Sequence, residues 1–386
     1  MQSFYNLSAV TVNYIPGIFS VGIIFGGLVG SPIIAKLGNR KTVFVSGVFV
    51  AIMHVFLYFI RIFNVALIAF FMISIMFGLL FMAALNQIAV YWESKRTMAT
   101  QIGSCGTSVG MLLFPLIIAW LLETFTVPGY YLILAGIYLN VMIAGALMHN
   151  PHSVKKDDPI ESKKETLIEN EAEIMEENKV EGKSGGLFSL PEFYLYIIAQ
   201  AILNGGYFAG VLYVSPFSQG AYSLTPVTAA SMITLMGGAE LLFRIPIGIL
   251  SDKPWINRHY FLAFNCLNLA LSFYLLPQMP SYMLFGAMCM FSGAFQGGWG
   301  GLSFVTLADF LKVVKLEKQL MAGVGLSTAF NGISCMIVSV GMGKIVDATG
   351  SYELPFFIGA GMVAMAGVLS GLIGIISARR SAIAEI

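Results

Sequence analysis

Charge is what this sequence has least of. Only 11% of its 386 residues are charged, 57% are hydrophobic, and mean hydropathy is +0.82. Soluble domains carry about 25% charged residues, so this chain has too little polar surface to cover a globule in water. Lipid must solvate most of it. A net charge of +1, with no basic stripe, excludes a nucleic-acid footprint. Cysteine is also scarce. Cys105, Cys266, Cys289 and Cys335 lie far apart inside apolar stretches, without zinc or disulfide-framework spacing, and read as small packing residues. The histidines His54, His149, His152 and His259 form no constellation with Ser, Cys or Asp. Neither a metalloprotease motif nor a nucleophile elbow occurs. No cofactor or metal is implied, and an enzyme is not expected.

What the chain has instead is long apolar runs. The first extends from about Ala9 to Ala35, without a basic segment ahead of it, and is too long for a secretory signal. A membrane span takes roughly 20 apolar residues. Candidates fall at about 10–35, 42–61, 64–90, 98–122, 128–148, 191–217, 225–250, 259–278, 283–308, 319–344 and 354–377. That predicts an all-α polytopic membrane protein with eleven transmembrane helices, five and then six.

Between the two groups the sequence turns hydrophilic, from Lys155 and Lys156 through Glu176 and Glu177 to Lys183. Such a segment cannot bury enough apolar surface to fold alone. The expected organisation is an N-terminal bundle over 1–148, a disordered cytoplasmic loop over 149–190, a C-terminal bundle over 191–378 and a tail over 379–386. Of the 21 Lys and Arg, all but Arg61, Arg244 and Lys344 fall in one alternating set of loops or the tail. Short basic loops face the cytoplasm, which places the C-terminus inside and, with an odd number of spans, Met1 outside.

Two turns on that side are alike. One runs from Ser31 through Ala35, Lys36, Gly38, Asn39 and Arg40 to Lys41, and the other from Gly248 through Asp252 and Lys253 to Asn257 and Arg258. Both resemble the G-x-x-x-D-R-x-G-R-K motif of the major facilitator superfamily, which closes a cytoplasmic gate and joins the second and third helices of each six-helix half. The second copy follows the second span after the central loop, but the first follows only one span. One helix is therefore expected to be missing ahead of it. The first copy also has Ala35 at the acidic position, which breaks its charge pattern.

Further stretches resemble the monocarboxylate transporter family in order along the chain. Tyr91, Lys95, Arg96, Gly103 and Gly106 match the signature entering its fifth helix. Glu240, Arg244, Pro246 and Gly248 match its eighth. Thr306 to Asp309 match the end of its tenth, and Asp347, Gly350 and Tyr352 the loop before its twelfth. The resemblance implies two pseudo-symmetric helical bundles and a gate network drawn from Lys36, Arg40, Asp252, Arg258 and Asp309. It also implies a plasma-membrane carrier. Some members of that family need a single-span immunoglobulin-like chaperone, a partner that the resemblance allows here too.

The most informative residue is Arg244, set inside an apolar run. A mid-membrane arginine costs about 2.5–3.5 kcal/mol on insertion scales, so it faces a cavity or a partner. Glu240 stands one turn earlier on the same helix face. Two readings are open. In one, the two form a buried ion pair that only holds helices together. In the other, the planar guanidinium of Arg244 binds a substrate carboxylate through two parallel hydrogen bonds and Glu240 takes the coupled proton. Phe295, Gln296 and Trp299, just before Gly300 and Gly301, are candidates to line the pore. Gly22, Gly26 and Gly30, and likewise Gly293, Gly297 and Gly301, recur at four-residue spacing and predict close helix packing.

The expected activity is proton-coupled transport of a small monocarboxylate, such as a lactate- or pyruvate-like anion, by alternating access. Two alternatives stand beside it. One is a non-transporting chain that at most binds ligand or partner helices, either a short isoform or an incomplete reading of its gene. The other is a carrier of an amino-acid-like or uncharged substrate.

Overall fold

A chain that crosses lipid must satisfy every backbone N–H and C=O internally. Among the described residues of the computed structural model, all regular structure is accordingly helical. The structure describes residues 9–91, 96–148, 187, 190–251, 253, 255–314, 316 and 319–384. The loop expected over 149–190 lies outside the described residues apart from Leu187 and Leu190. Asp252 and Lys95 lie outside them too, as do the side chains of Tyr91 and Arg96.

The helices are α1 (Ala9–Leu37), α2 (Asn39–Phe59), α3 (Phe63–Tyr91), α4 (Arg96–Thr124), α5 (Val127–Leu147), α6 (Pro191–Tyr222), α7 (Pro226–Ser251), α8 (Arg258–Leu275), α9 (Tyr282–Val313), α10 (Leu320–Thr349) and α11 (Leu354–Ala384). Their order reproduces the eleven expected spans. Among the described residues, nine of them are individually long and apolar enough to cross a membrane. The described part of α1 gives a shorter apolar stretch, Tyr14–Gly27. In α9 the glycines and Gln296 dilute the hydropathy, because this helix is largely packed against protein instead of facing lipid.

Local chemistry sets the ends. Gly38, at φ 77°, makes a one-residue turn between α1 and α2, a conformation that costs glycine no Cβ clash. Asn257 caps α8 by accepting from His259 N–H at 3.0 Å, and Ser281 caps α9 by accepting from Leu284 N–H at 3.4 Å. Gly350, at φ 67°, ends α10 in the left-handed region.

The packing repeats itself. α1 lies against α3 as α7 lies against α9; α2 meets α5 and α3 as α8 meets α11 and α9. Two seams cross between the groups: α1 on α10, and α4 on α7. Glycines permit the close approaches. Gly22 and Gly26 of α1 face Ser74, Ile75 and Gly78 of α3, where a Cβ on Gly78 would sit 2.8 Å from Gly26 Cα. Gly293 and Gly297 of α9 face the Met236 and Glu240 carbonyls of α7. Gly237 of α7 meets the backbone of Met111 and Leu112 of α4, and Gly332 of α10 meets Ser20 and Ile24 of α1.

The symmetry has one gap. α6 packs on α10 and α11, whereas no described helix makes the corresponding contact with α4 and α5. The face of α4 that carries Val109, Leu113, Ile117 and Trp120 is exposed, and a Cβ on Gly106 would meet nothing within 4 Å.

Candidate functional site

Arg244 and Glu240 sit near the middle of α7 and are 5% and 3% exposed. The guanidinium Nη2 donates to Glu240 Oε1, as the one-turn spacing requires. The second carboxylate oxygen is held from another helix: Gln296 of α9 donates from Nε2 to Glu240 Oε2 at 2.9 Å. The same amide nitrogen donates to the Tyr207 hydroxyl of α6. Met111 of α4 closes the group, its sulfur 3.9 Å from the Tyr207 hydroxyl. Three helices of one group and one of the other thus converge on Glu240.

Gly297 is what lets them. A Cβ there would stand 2.8 Å from the Glu240 carbonyl and 3.4 Å from Arg244 Cα. With glycine, α9 comes close enough for Gln296 to reach the carboxylate.

These residues line a cavity of about 650 Å³, together with Phe81, Gln200, Trp299, Ser303, Ser327 and Asn331, a size usual for small-molecule sites. It spreads from Glu240 and Arg244 toward the ends of α3, α4, α9 and α10 that adjoin the basic loops. On the other side α1 contacts α10 and α4 contacts α7, and a second cavity of about 610 Å³ lies between α4, α6 and α7, lined by Met111, Phe114, Ser215 and Ile233 among others.

Phe295 does not join the site. Its ring packs on Phe264 and Phe291, at 5.8 and 4.9 Å between centroids, because one residue along a helix turns the side chain about 100° away from Gln296. Trp299, three residues after Gln296, stays on the cavity face and has the Tyr207 ring beside it at 5.6 Å. Tyr207 and Gln200, not singled out from the sequence, carried a usable signal: two polar residues two turns apart inside an apolar helix share a face. Asn331 in α10 carried the same signal.

Of the gate residues, Arg258 and Asp309 meet: Nη1 donates to Oδ1 and Oδ2 at 3.0 and 2.9 Å. Arg258 also donates from Nε to the Ser251 carbonyl at 3.2 Å. Lys36 and Arg40 are exposed. In the first copy of the turn, Asn39 stands where Arg258 stands in the second, each the first residue of its helix. Asn39 donates to Gln87 of α3 at 2.6 Å, so a neutral amide pair fills the place of the ion pair. Gly106 lies on the open face of α4.

The chain is similar over almost its whole length to several carriers. It is 24% identical to human monocarboxylate transporter 2 across 97% of this chain and 79% of that one. It is 21% identical to mouse monocarboxylate transporter 6 across 96% and 80%. Monocarboxylate transporter 12 of Xenopus laevis is 23% identical across 78% and 66%. In three dimensions it resembles a D-xylose-proton symporter, with TM-score 0.69 and 17% identity over 95% of this chain and 88% of that one. It also resembles the E. coli fucose:proton symporter, with TM-score 0.58 and 16% identity over 96% and 97%. The sequence profile of the Major Facilitator Superfamily matches residues 1–315, and with the helix order and the paired packing this chain belongs to that superfamily.

Proposed function

We propose that the protein is a secondary transporter of small monocarboxylates that moves its cargo together with a proton by alternating access. The observation that carries this reading is the buried Glu240–Arg244 pair, set inside a helix long and apolar enough to cross a membrane and lining a cavity. An arginine there is costly, and a bidentate fork suits a carboxylate. Arg244 holds the cargo carboxylate and Glu240 takes the proton, so that the loaded carrier gains no net charge. The named relatives are monocarboxylate transporters and the structural neighbours are proton symporters, which supports both halves of the reading.

In this proposal residues 1–148 and 191–378 form the two rocking bundles, 149–190 is a cytoplasmic loop and 379–386 a cytoplasmic tail. The basic ends of the helices face the cytoplasm of a cell bounded by the plasma membrane, so the cavity opens inward. A single-span chaperone remains a proposed partner of the same reading. A second reading, binding without transport, is favoured by one observation: α4 leans on α7 while its face carrying Val109, Leu113 and Trp120 is uncovered.

The test is uptake of labelled lactate and pyruvate into cells expressing the chain, with surface labelling, at external pH 6 and pH 8. Greater uptake at pH 6 that disappears in Arg244→Ala is expected. Surface protein with no uptake of either acid at either pH would overturn the transport reading.

A further inference from the structure

Two cavities meet halfway along α4. The inner one, of about 650 Å³, has Glu240 and Arg244 on its wall. The outer one, of about 610 Å³, follows α4 from Gly110 to Glu123 and reaches Pro226, the first residue of α7. It therefore extends toward the end of the bundle remote from the basic loops. Among the described residues, Met111 is the one that lines both cavities. Its backbone is pressed against α7, where a Cβ on Gly237 would stand 2.6 Å from the Met111 carbonyl carbon and from Leu112 N. While those two helices stay in contact, only the Met111 side chain is free to move at this level.

That side chain is held lightly. Gln296 donates from Nε2 to the Met111 sulfur at 3.4 Å, and the Tyr207 hydroxyl donates to it at 3.9 Å. A thioether is a weak acceptor, so these contacts orient the sulfur and release it with little loss. Methionine is unbranched and has three rotatable bonds. In a close-packed core such a side chain has atoms on every side and nowhere to turn, whereas Met111 has open volume on two sides. Turned toward Phe114 and Ile233 of the outer cavity, it would leave Tyr207, Gln296 and Glu240 facing that space.

Resting on the transport reading above, we propose that the two cavities are successive chambers of one cargo path and that Met111 is the gate between them. Across the path, its side chain seals the Glu240–Arg244 site from the outer chamber. Swung aside, it admits a small cargo from there, while rocking of the two halves governs the inner side.

The experiment measures how fast a small membrane-impermeant methanethiosulfonate, added outside intact cells, reacts with single cysteines in the full chain. The background carries Cys105→Ser and Cys335→Ser, which removes the two partly exposed native thiols. Ser215→Cys reports the outer chamber and Ser104→Cys the inner one. A minor open state is populated at about 10% or less, so Ser104→Cys should react at most about one-tenth as fast as Ser215→Cys. Adding Met111→Ala removes the gate and should bring Ser104→Cys to within about threefold of Ser215→Cys, since no closed state then lowers the reactive fraction. Met111→Leu conserves volume and should leave Ser104→Cys slow. A Ser104→Cys rate that Met111→Ala does not change would overturn the gate, as would a Ser215→Cys that fails to react from outside. If Met111→Ala does not reach the surface, equal rates for the two cysteines with Met111 in place would overturn it. Uptake of lactate or pyruvate by the unsubstituted chain tests the transport reading separately, so uptake combined with any of these negative results strikes the gate and leaves that reading standing.

Discussion

Arg258 grips Asp309 with one guanidinium nitrogen against both carboxylate oxygens, tying the first residue of α8 to the last turns of α9. The equivalent positions of α2 and α3 hold Asn39 and Gln87, bonded at 2.6 Å. The two halves thus fasten the same corner with different chemistry, one with charge and one without. Both pairs join helices within their own half, so they stiffen a corner and do not bolt the halves together.

Because the Arg258–Asp309 side chains are 29% and 39% exposed, solvent screens them and the pair contributes at most about 1 kcal/mol. Thermal unfolding of the purified carrier in detergent, run as a double-mutant cycle with Arg258→Ala and Asp309→Asn, should give a coupling of that size. High salt should reduce it, whereas a corresponding cycle on Asn39 and Gln87 should be insensitive to salt.

The Glu240–Arg244 pair is different, since both side chains are almost fully buried. Removing one partner leaves the other charge bare in a low-dielectric interior, at a cost of about 3–5 kcal/mol. Arg244→Ala should therefore abolish uptake and lower thermal stability together. Glu240→Gln keeps the hydrogen-bonding shape, and uptake measured between external pH 6 and 8 should lose its rise toward acid. Retention of a full pH response in Glu240→Gln would remove that residue from the proton pathway.

Gly297 should resist replacement because it faces the site directly. A Cβ there would stand 2.8 Å from the Glu240 carbonyl, and a larger side chain must push α9 away from α7. Gly297→Leu should cost several-fold or more in uptake and lower the melting temperature. Gly361 in α11, where a Cβ meets nothing within 4 Å, is the control. Gly361→Ala should be neutral or raise stability by about 0.5–1 kcal/mol through the lower entropy of the unfolded chain.

The seam between α1 and α10 should open for every transport cycle if the halves rock. A Cβ on Gly17 would lie 3.8 Å from Met336 Cα, close to disulfide geometry. Gly17→Cys with Met336→Cys, in a background with Cys335→Ser, should crosslink on oxidation and stop uptake, and reduction should restore it. Crosslinked protein that still transports would rule out motion at this seam.

Much of this protein was legible in its sequence. In lipid the backbone must satisfy its own hydrogen bonds, so long apolar runs bounded by charge, Pro/Gly or short polar turns indicated the eleven helices, and the charged loops and Gly38 marked where they break. The one-turn spacing of Glu240 and Arg244 likewise determined that they would meet. The resemblance added the superfamily and the order of its parts.

Only the tertiary structure decided which faces look inward. Hydrophobic patterning gives little guidance in a membrane, because lipid-facing and protein-facing surfaces are equally apolar. Phe295 and Gln296 were therefore indistinguishable as neighbours, until packing turned one toward Phe264 and the other toward Glu240. Tyr207, Met111 and Asn39 owe their roles to contacts with residues far along the chain. Such contacts depend on how closely the backbones approach, which Gly237, Gly297 and Gly332 set at separations that no local reading of the sequence contains.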